Sequence, residues 1–209
     1  MKFGIFGGTF NPVHSGHLRV AKEVRRQLEL EKVIFVPSYL PPHKDLADNV
    51  HADKRLEIVR IAIAGNPFFD LSSFEVENKG NSYSIFTIEH FRRTCNAVPY
   101  FILGQDAFND ILAWYEKDRL FSLTHFVVMS RPHAQKLPLE KIIGKHASGY
   151  SKTQRGYINN QGNEIIYIEV TPIDISSSMI RDRCKKGESI RDLVPEKVEN
   201  YINDERIYL

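Results

Sequence analysis

Cysteine is scarce in this chain. Its 209 residues include two, Cys95 and Cys184, far apart and without CxxC spacing. That excludes a disulfide framework or a zinc ribbon, and a reducing, cytoplasmic setting with both thiols inert is the expectation. No apolar run is long enough to span a membrane, so none is expected as a partner. The N-terminus lacks a signal-peptide pattern, because Lys2 leads straight into a strand and a glycine turn. Neither sign of charge is in excess: the formal net charge is +2, which argues against a protein that coats nucleic acid. There is no internal repeat and no low-complexity tract. Two familiar phosphate signatures are missing as well. No GKS or GKT follows the glycines, which excludes a Walker A loop, and GxGxxG does not occur. Paired acids are lacking, and no nucleophile is set against a base.

What is present is a chain that is 42% hydrophobic, enough for one core and a single domain over residues 1–209. Strand and helix patterns alternate from the first residue. The fold class this predicts is α/β, a Rossmann-like doubly wound, mainly parallel sheet with helices on both faces. Lys2–Phe6, Lys32–Val36, Pro99–Leu103, His125–Met129 and Glu164–Glu169 read as buried strands. Phe68–Leu71 reads as a short strand and Glu75-Val76 as an extended piece. Helical spacing follows Ser15, with Leu18, Ala21, Val24 and Leu28 on one face. It recurs over Asp53–Ala64, with Leu56, Val59 and Ile63 inward and Arg55 and Arg60 elsewhere. Ser82 or Ser84 is the expected cap of the next helix. Residues 133–163 read as an irregular loop or small hairpin, and residues 176–209 as a C-terminal helical segment containing a helix started by Pro195.

The stretch KFGIFGGTFNPVHSGH organises the rest. Strand, glycine turn and helix N-terminus make an anion cradle, with His14 and His17 at its mouth to add hydrogen bonds or positive charge. Other strand ends deliver polar groups to the same edge of the sheet. The loop after the second strand brings His43 and Lys44, and the third strand ends in Gly104 and Asp106. The fourth ends beside Arg131. ISSSMIR brings Ser176, Ser177, Ser178 and Arg181. With Gly7, Gly8 and Thr9, this set describes a polyphosphate site. Asp106 suits a ribose hydroxyl and Trp114 a stacked heterocycle. Blander readings stand beside these: a helix cap for Asp106 and for Ser176, core packing for Trp114, and a surface ion pair for Arg131. Chemistry that needs only positioning and charge neutralisation is phosphoryl or nucleotidyl transfer.

Several motifs carry a family resemblance. GTFNPVHSGH resembles the [GT]xFxPxHxGH signature of the nucleotidylyltransferase superfamily, and ISSSMIR resembles its second signature. GGTFNPVHSGHL, VPSYLPPHK, NSYSIFTIEHF, LGQDAFNDILAWYEKDRLF and VPEKVENYI are similar, in order, to segments of bacterial nicotinate-nucleotide adenylyltransferases. The resemblance spans nearly the whole chain. It implies transfer of the adenylyl group of ATP to nicotinate mononucleotide, with pyrophosphate leaving and nicotinate adenine dinucleotide formed for NAD biosynthesis. It implies catalytic roles for His14, His17, Lys44 and Arg181. ATP contacts are implied at Gly7, Gly8, Thr9, Phe10, Gly104, Asp106 and Ser176–Ser178. Contacts to nicotinate mononucleotide are implied at Ser82, Tyr83, Ser84, Trp114, Tyr115 and Arg131, the amides of Ser82–Ser84 taking the carboxylate. Magnesium is expected with ATP, held by phosphates rather than by a protein cage. Asn11 departs from the family's usual aspartate, and Ser178 from its commoner threonine. The rival readings are the same chemistry on nicotinamide mononucleotide or another phosphate acceptor, and a nucleotide-binding module without turnover. A homo-oligomer is left open.

Overall fold

The computed structural model describes residues 2–42, 50–130 and 137–208. Its centre is β1 (Phe3–Gly8), which pairs in parallel with β2 (Lys32–Pro37) on one side and β4 (Tyr100–Gly104) on the other. β3 (Phe69–Leu71) lies outside β2, while β5 (His125–Ser130) and β8 (Glu164–Glu169) continue from β4, all parallel. β7 (Gly156–Asn159) and β6 (Tyr150–Lys152) add an antiparallel edge, so the sheet runs β3-β2-β1-β4-β5-β8-β7-β6. At Gly156 a Cβ would lie 2.0 Å from the Ile165 carbonyl oxygen, which restricts this close strand approach to glycine.

Side chains alternate along each strand and so feed two cores. Phe6, Phe35, Ile102 and Val127 face one side. There they pack against α1 (Ser15–Leu28), α2 (Ala52–Ile63), α8 (Ser177–Lys185) and α9 (Glu196–Asp204). Ile5, Phe101, Phe126 and Val128 face the other side. Their partners are α4 (Ser84–Cys95), α5 (Gln105–Asn109), α6 (Lys117–Leu123) and α7 (Leu139–Ile143). Strands buried on both faces need the near-continuous apolar runs that the sequence shows. The chain order reverses at β1, whose neighbours are β2 and β4. The loops after β1 and β4 therefore part there and leave a crevice at the C-terminal edge.

The structure corrects the sequence reading in four places. Glu75 and Val76 are not extended: they lie in a short helix, α3 (Phe74–Asn78), whose Val76 is the buried contact. The buried face of α2 is Ala52, Arg55, Ile58, Val59 and Ile63, so Arg55 faces inward, and Leu56 is only half-buried. Neither Ser82 nor Ser84 caps α4: its N-cap is Tyr83, without a side-chain bond, because the Ser82 hydroxyl accepts from the Tyr39 amide instead. Residues 137–163 are more regular than expected, with α7, a 3-10 turn and the β6–β7 hairpin.

Candidate active site

β1 runs out at Gly8 into a loop whose backbone is held from several directions. Arg55 donates to the Thr9 carbonyl at 2.6 Å, Arg181 to the Asn11 carbonyl at 2.9 Å and the Ser177 hydroxyl to the Pro12 carbonyl at 2.9 Å. The Tyr208 hydroxyl, one residue from the C-terminus, donates to Asn11 Oδ1 at 2.8 Å in a buried contact. That gives Asn11 a structural reason: it is a neutral acceptor, where an ionised carboxylate would have to be desolvated. Phe10 takes left-handed backbone at φ 47°, uncommon for a bulky residue, and its ring is 3% exposed against Phe6, Phe35 and His17. Its side chain packs within the core of the loop.

The loop ends at His14, the N-cap of α1. The His14 amide donates to His17 Nδ1 at 3.3 Å, and the two rings lie 3.7 Å apart. With Nδ1 accepting, a neutral His17 carries its proton on Nε2. His14 is 7% exposed, and its Nδ1 has no partner among the described residues. Burial pushes its pKa down to about 4, so it is uncharged at neutral pH without a ligand. Gly16 is required under this ring, because a Cβ there would sit 2.9 Å from His14 Nδ1.

Beside the loop opens a cleft of about 640 Å³. It gathers many of the expected residues: Gly7 and Gly8 at the end of β1 with Thr9 after it, Ser82–Ser84 at the start of α4, Gly104 at the end of β4 with Asp106 after it, then Trp114 and Tyr115, while Phe10, His14 and His17 are not part of this lining. At the mouth of α4 the Ser82 amide donates to the Leu40 carbonyl and the Tyr83 amide to the Asn81 carbonyl, both at 2.9 Å. The first-turn amides of Ser84 and Ile85 are left without an acceptor among the described residues. Of the three amides expected to take a carboxylate, those of Ser82 and Tyr83 are thus already engaged and that of Ser84 is not. Trp114 is half-buried, edge-on to Phe101 at 6.1 Å, and Tyr115 stacks on Tyr83 at 4.5 Å.

Other expected residues stand apart from this lining. Ser176 accepts from the Met179 amide as the N-cap of α8, with Ser178 3.0 Å from it. Ser177 and Arg181 brace the loop as described, which holds α8 against Asn11 and Pro12. His43, Lys44 and Arg131 lie outside the described residues.

Two cleft residues were missed by sequence reasoning. Ser38, at the end of β2, is 6% exposed with its hydroxyl unpartnered among the described residues. Glu75 lies between this cleft and a neighbouring cavity of about 580 Å³. Its carboxylate accepts from the Thr87 hydroxyl at 2.5 Å, and burial raises its pKa. A buried serine at a strand end was a readable signal; Glu75 was not, because its helix is so short. Among the described residues no group of three or more His, Cys, Asp or Glu is gathered to hold a metal ion.

Strand-end glycines, the mouth of α4 and a half-buried tryptophan around one cleft on a doubly wound sheet fit a nucleotidyltransferase, and the comparisons agree. Residues 5–183 match the cytidylyltransferase-like family, to which the chain belongs. Within that class it belongs with the nicotinate-nucleotide adenylyltransferases. It is similar over its full length to proteins named "Probable nicotinate-nucleotide adenylyltransferase" from Geotalea daltonii (44% identical, 98% of that protein covered) and Geobacter metallireducens (41%, 98%). The fold is similar to that of Plasmodium falciparum nicotinic acid mononucleotide adenylyltransferase complexed with NaAD. The TM-score is 0.73, with 19% identity over 99% of this chain and 97% of that one.

Proposed function

We propose that this cleft transfers the adenylyl group of ATP to the 5′-phosphate of nicotinate mononucleotide. An acceptor phosphate oxygen forms the new bond to the α-phosphorus, the bond from that phosphorus to the bridging oxygen breaks, and pyrophosphate leaves. No proton has to move, so the protein's part is alignment and charge neutralisation. The observation that carries this reading is the meeting of the glycines that end β1, the mouth of α4 and Trp114 in one cleft.

ATP phosphates are assigned to Gly7, Gly8, Thr9, His14 and His17, with Lys44 and Arg181 supplying charge. His17 Nε2–H points the donor side of its ring away from the helix backbone. Its partner His14 gains a proton when a phosphate provides the charge that burial otherwise withholds. Gly104 and Asp106 are assigned to the nucleoside, Asp106 through ribose hydroxyls. The acceptor's pyridine ring lies against Trp114, next to Tyr115, and its carboxylate meets the amides at the start of α4, where the helix dipole favours an anion. Ser38 is an added candidate for a phosphate or ribose oxygen. Magnesium, arriving with ATP, would neutralise phosphate charge.

The test is pyrophosphate release with ATP, magnesium and nicotinate mononucleotide, with product identified by mass. Stoichiometric release and an adenylated dinucleotide are expected. Binding of ATP without release would instead make the chain a nucleotide-binding module.

A further inference from the structure

Arg55 is the largest fully buried side chain among the described residues, at 0% exposure on the inner face of α2. Although Glu75 is near enough to favour its charge electrostatically, among the described residues its guanidinium donates to no carboxylate. It donates instead to three backbone carbonyls: Thr9 at 2.6 Å, Tyr39 at 3.0 Å and Val50 at 3.3 Å. Thr9 belongs to the loop after β1, while Tyr39 and Val50 flank the loop after β2. Desolvating a cation is costly, and an apolar residue would serve a purely structural position on α2 at least as well. What an apolar residue cannot do is fix two loops to one rigid donor fork.

The connection continues past Tyr39. Its amide donates to Ser82 Oγ at 2.9 Å, and the Ser82 amide donates to the Leu40 carbonyl at 2.9 Å. One hydrogen-bonded line thus runs from the phosphate loop, through Arg55 and Tyr39, to the mouth of α4. Its two ends are the sides of the cleft assigned to donor and acceptor. Arg55 itself does not line the cleft. We propose that Arg55 is a positioning residue for the transfer, setting the distance between the loop that holds the donor's phosphates and the helix mouth that holds the acceptor.

The proposal rests on the assignment of donor and acceptor sides made above, and its signature is specific. Each substrate alone touches only one end of the line, whereas the reaction needs both ends in register. R55K keeps the charge but not the fork. Its turnover with both substrates saturating is expected to fall about 30- to 100-fold, the scale on which small misplacements of reacting groups act. ATP alone and nicotinate mononucleotide alone, titrated calorimetrically, should still bind at full stoichiometry and near wild-type affinity. In R55A, ethylguanidinium added to the assay should restore turnover, and ethylammonium at equal concentration should not. Near wild-type turnover of R55K overturns the proposal. So does a loss that merely tracks a lost binding stoichiometry, or equal rescue by both cations. If neither variant retains a folded, substrate-binding population, the arginine is structural and the proposal fails. A wild type that binds both substrates without turning over overturns the functional reading as well, which the unmodified protein reveals before any variant is made.

Discussion

His14 should take up a proton when ATP binds. Burial alone holds its pKa at about 4 in the free protein. To be charged at pH 7 it must rise by about three units, which is about 4 kcal/mol of interaction favouring the imidazolium. A single phosphate charge about 4 Å away supplies about 4 kcal/mol at the effective dielectric of a partly buried site. A triphosphate brings several such charges. One well-placed phosphate is therefore enough to bring the ring into the neutral range, and its Nδ1 has no hydrogen-bond partner among the described residues. The assay is NMR titration of the His14 imidazole, free and with magnesium and a non-hydrolysable ATP analogue. Calorimetry in buffers of different ionisation enthalpy counts the protons. Titration near 4 in the free protein and above 6 in the complex is expected, with uptake abolished in His14→Ala. A free pKa near the ordinary 6.5 would refute the burial argument. A complexed ring that stays below 5 would refute the charge argument and leave His14 a neutral donor.

Further outcomes follow from the same structure. Gly16→Ala should lower turnover at least tenfold by displacing the His14 ring, which lies 2.9 Å from the new Cβ, without lowering stability. The substitution gains up to about 1 kcal/mol of helix propensity, and thermal unfolding beside kinetics checks both halves. Tyr208→Phe removes the buried bond to Asn11 Oδ1 and should cost about 1 kcal/mol in urea unfolding; an unchanged midpoint would contradict that tie. Acid should destabilise the fold through His14 and His125, both lowered to about 4 chiefly by burial. The unfolded chain takes up these protons near pH 6.5 and the folded one only near 4. Their contribution is therefore intact above 6.5 and lost as the pH falls to about 4, by up to about 3 kcal/mol each. Urea midpoints across that range measure it, and a flat profile would contradict it.

The parts legible in the sequence are those set by periodicity and by turn chemistry. The apolar runs at Lys32–Val36 and His125–Met129 became central parallel strands because both faces are covered, and Gly7 and Gly8, expected as a turn, end strand β1 and line the cleft. Arg55 was misread because charge predicts exposure, and only the three carbonyls that converge on it make burial tolerable. Asn11 could not be explained from its neighbours because its partner, Tyr208, lies 197 residues away. Glu75 and α7 sit in helices of five residues, too short for a 3.6-residue period to declare itself. The serines of ISSSMIR were read as phosphate contacts, with a helix cap as the blander reading of Ser176, and two of them serve locally. One caps α8 and another braces the opening loop, a division that depends on contacts across the fold.

The central claim is that the mouth of α4 selects an acceptor bearing a carboxylate on its pyridine ring. Steady-state kcat/KM for nicotinate mononucleotide and for nicotinamide mononucleotide, measured with the same ATP and magnesium, tests it most directly. A preference of at least about tenfold for the nicotinate form is expected from an anion meeting oriented amides and a helix dipole. Equal use of both, or preference for the nicotinamide form, would contradict it.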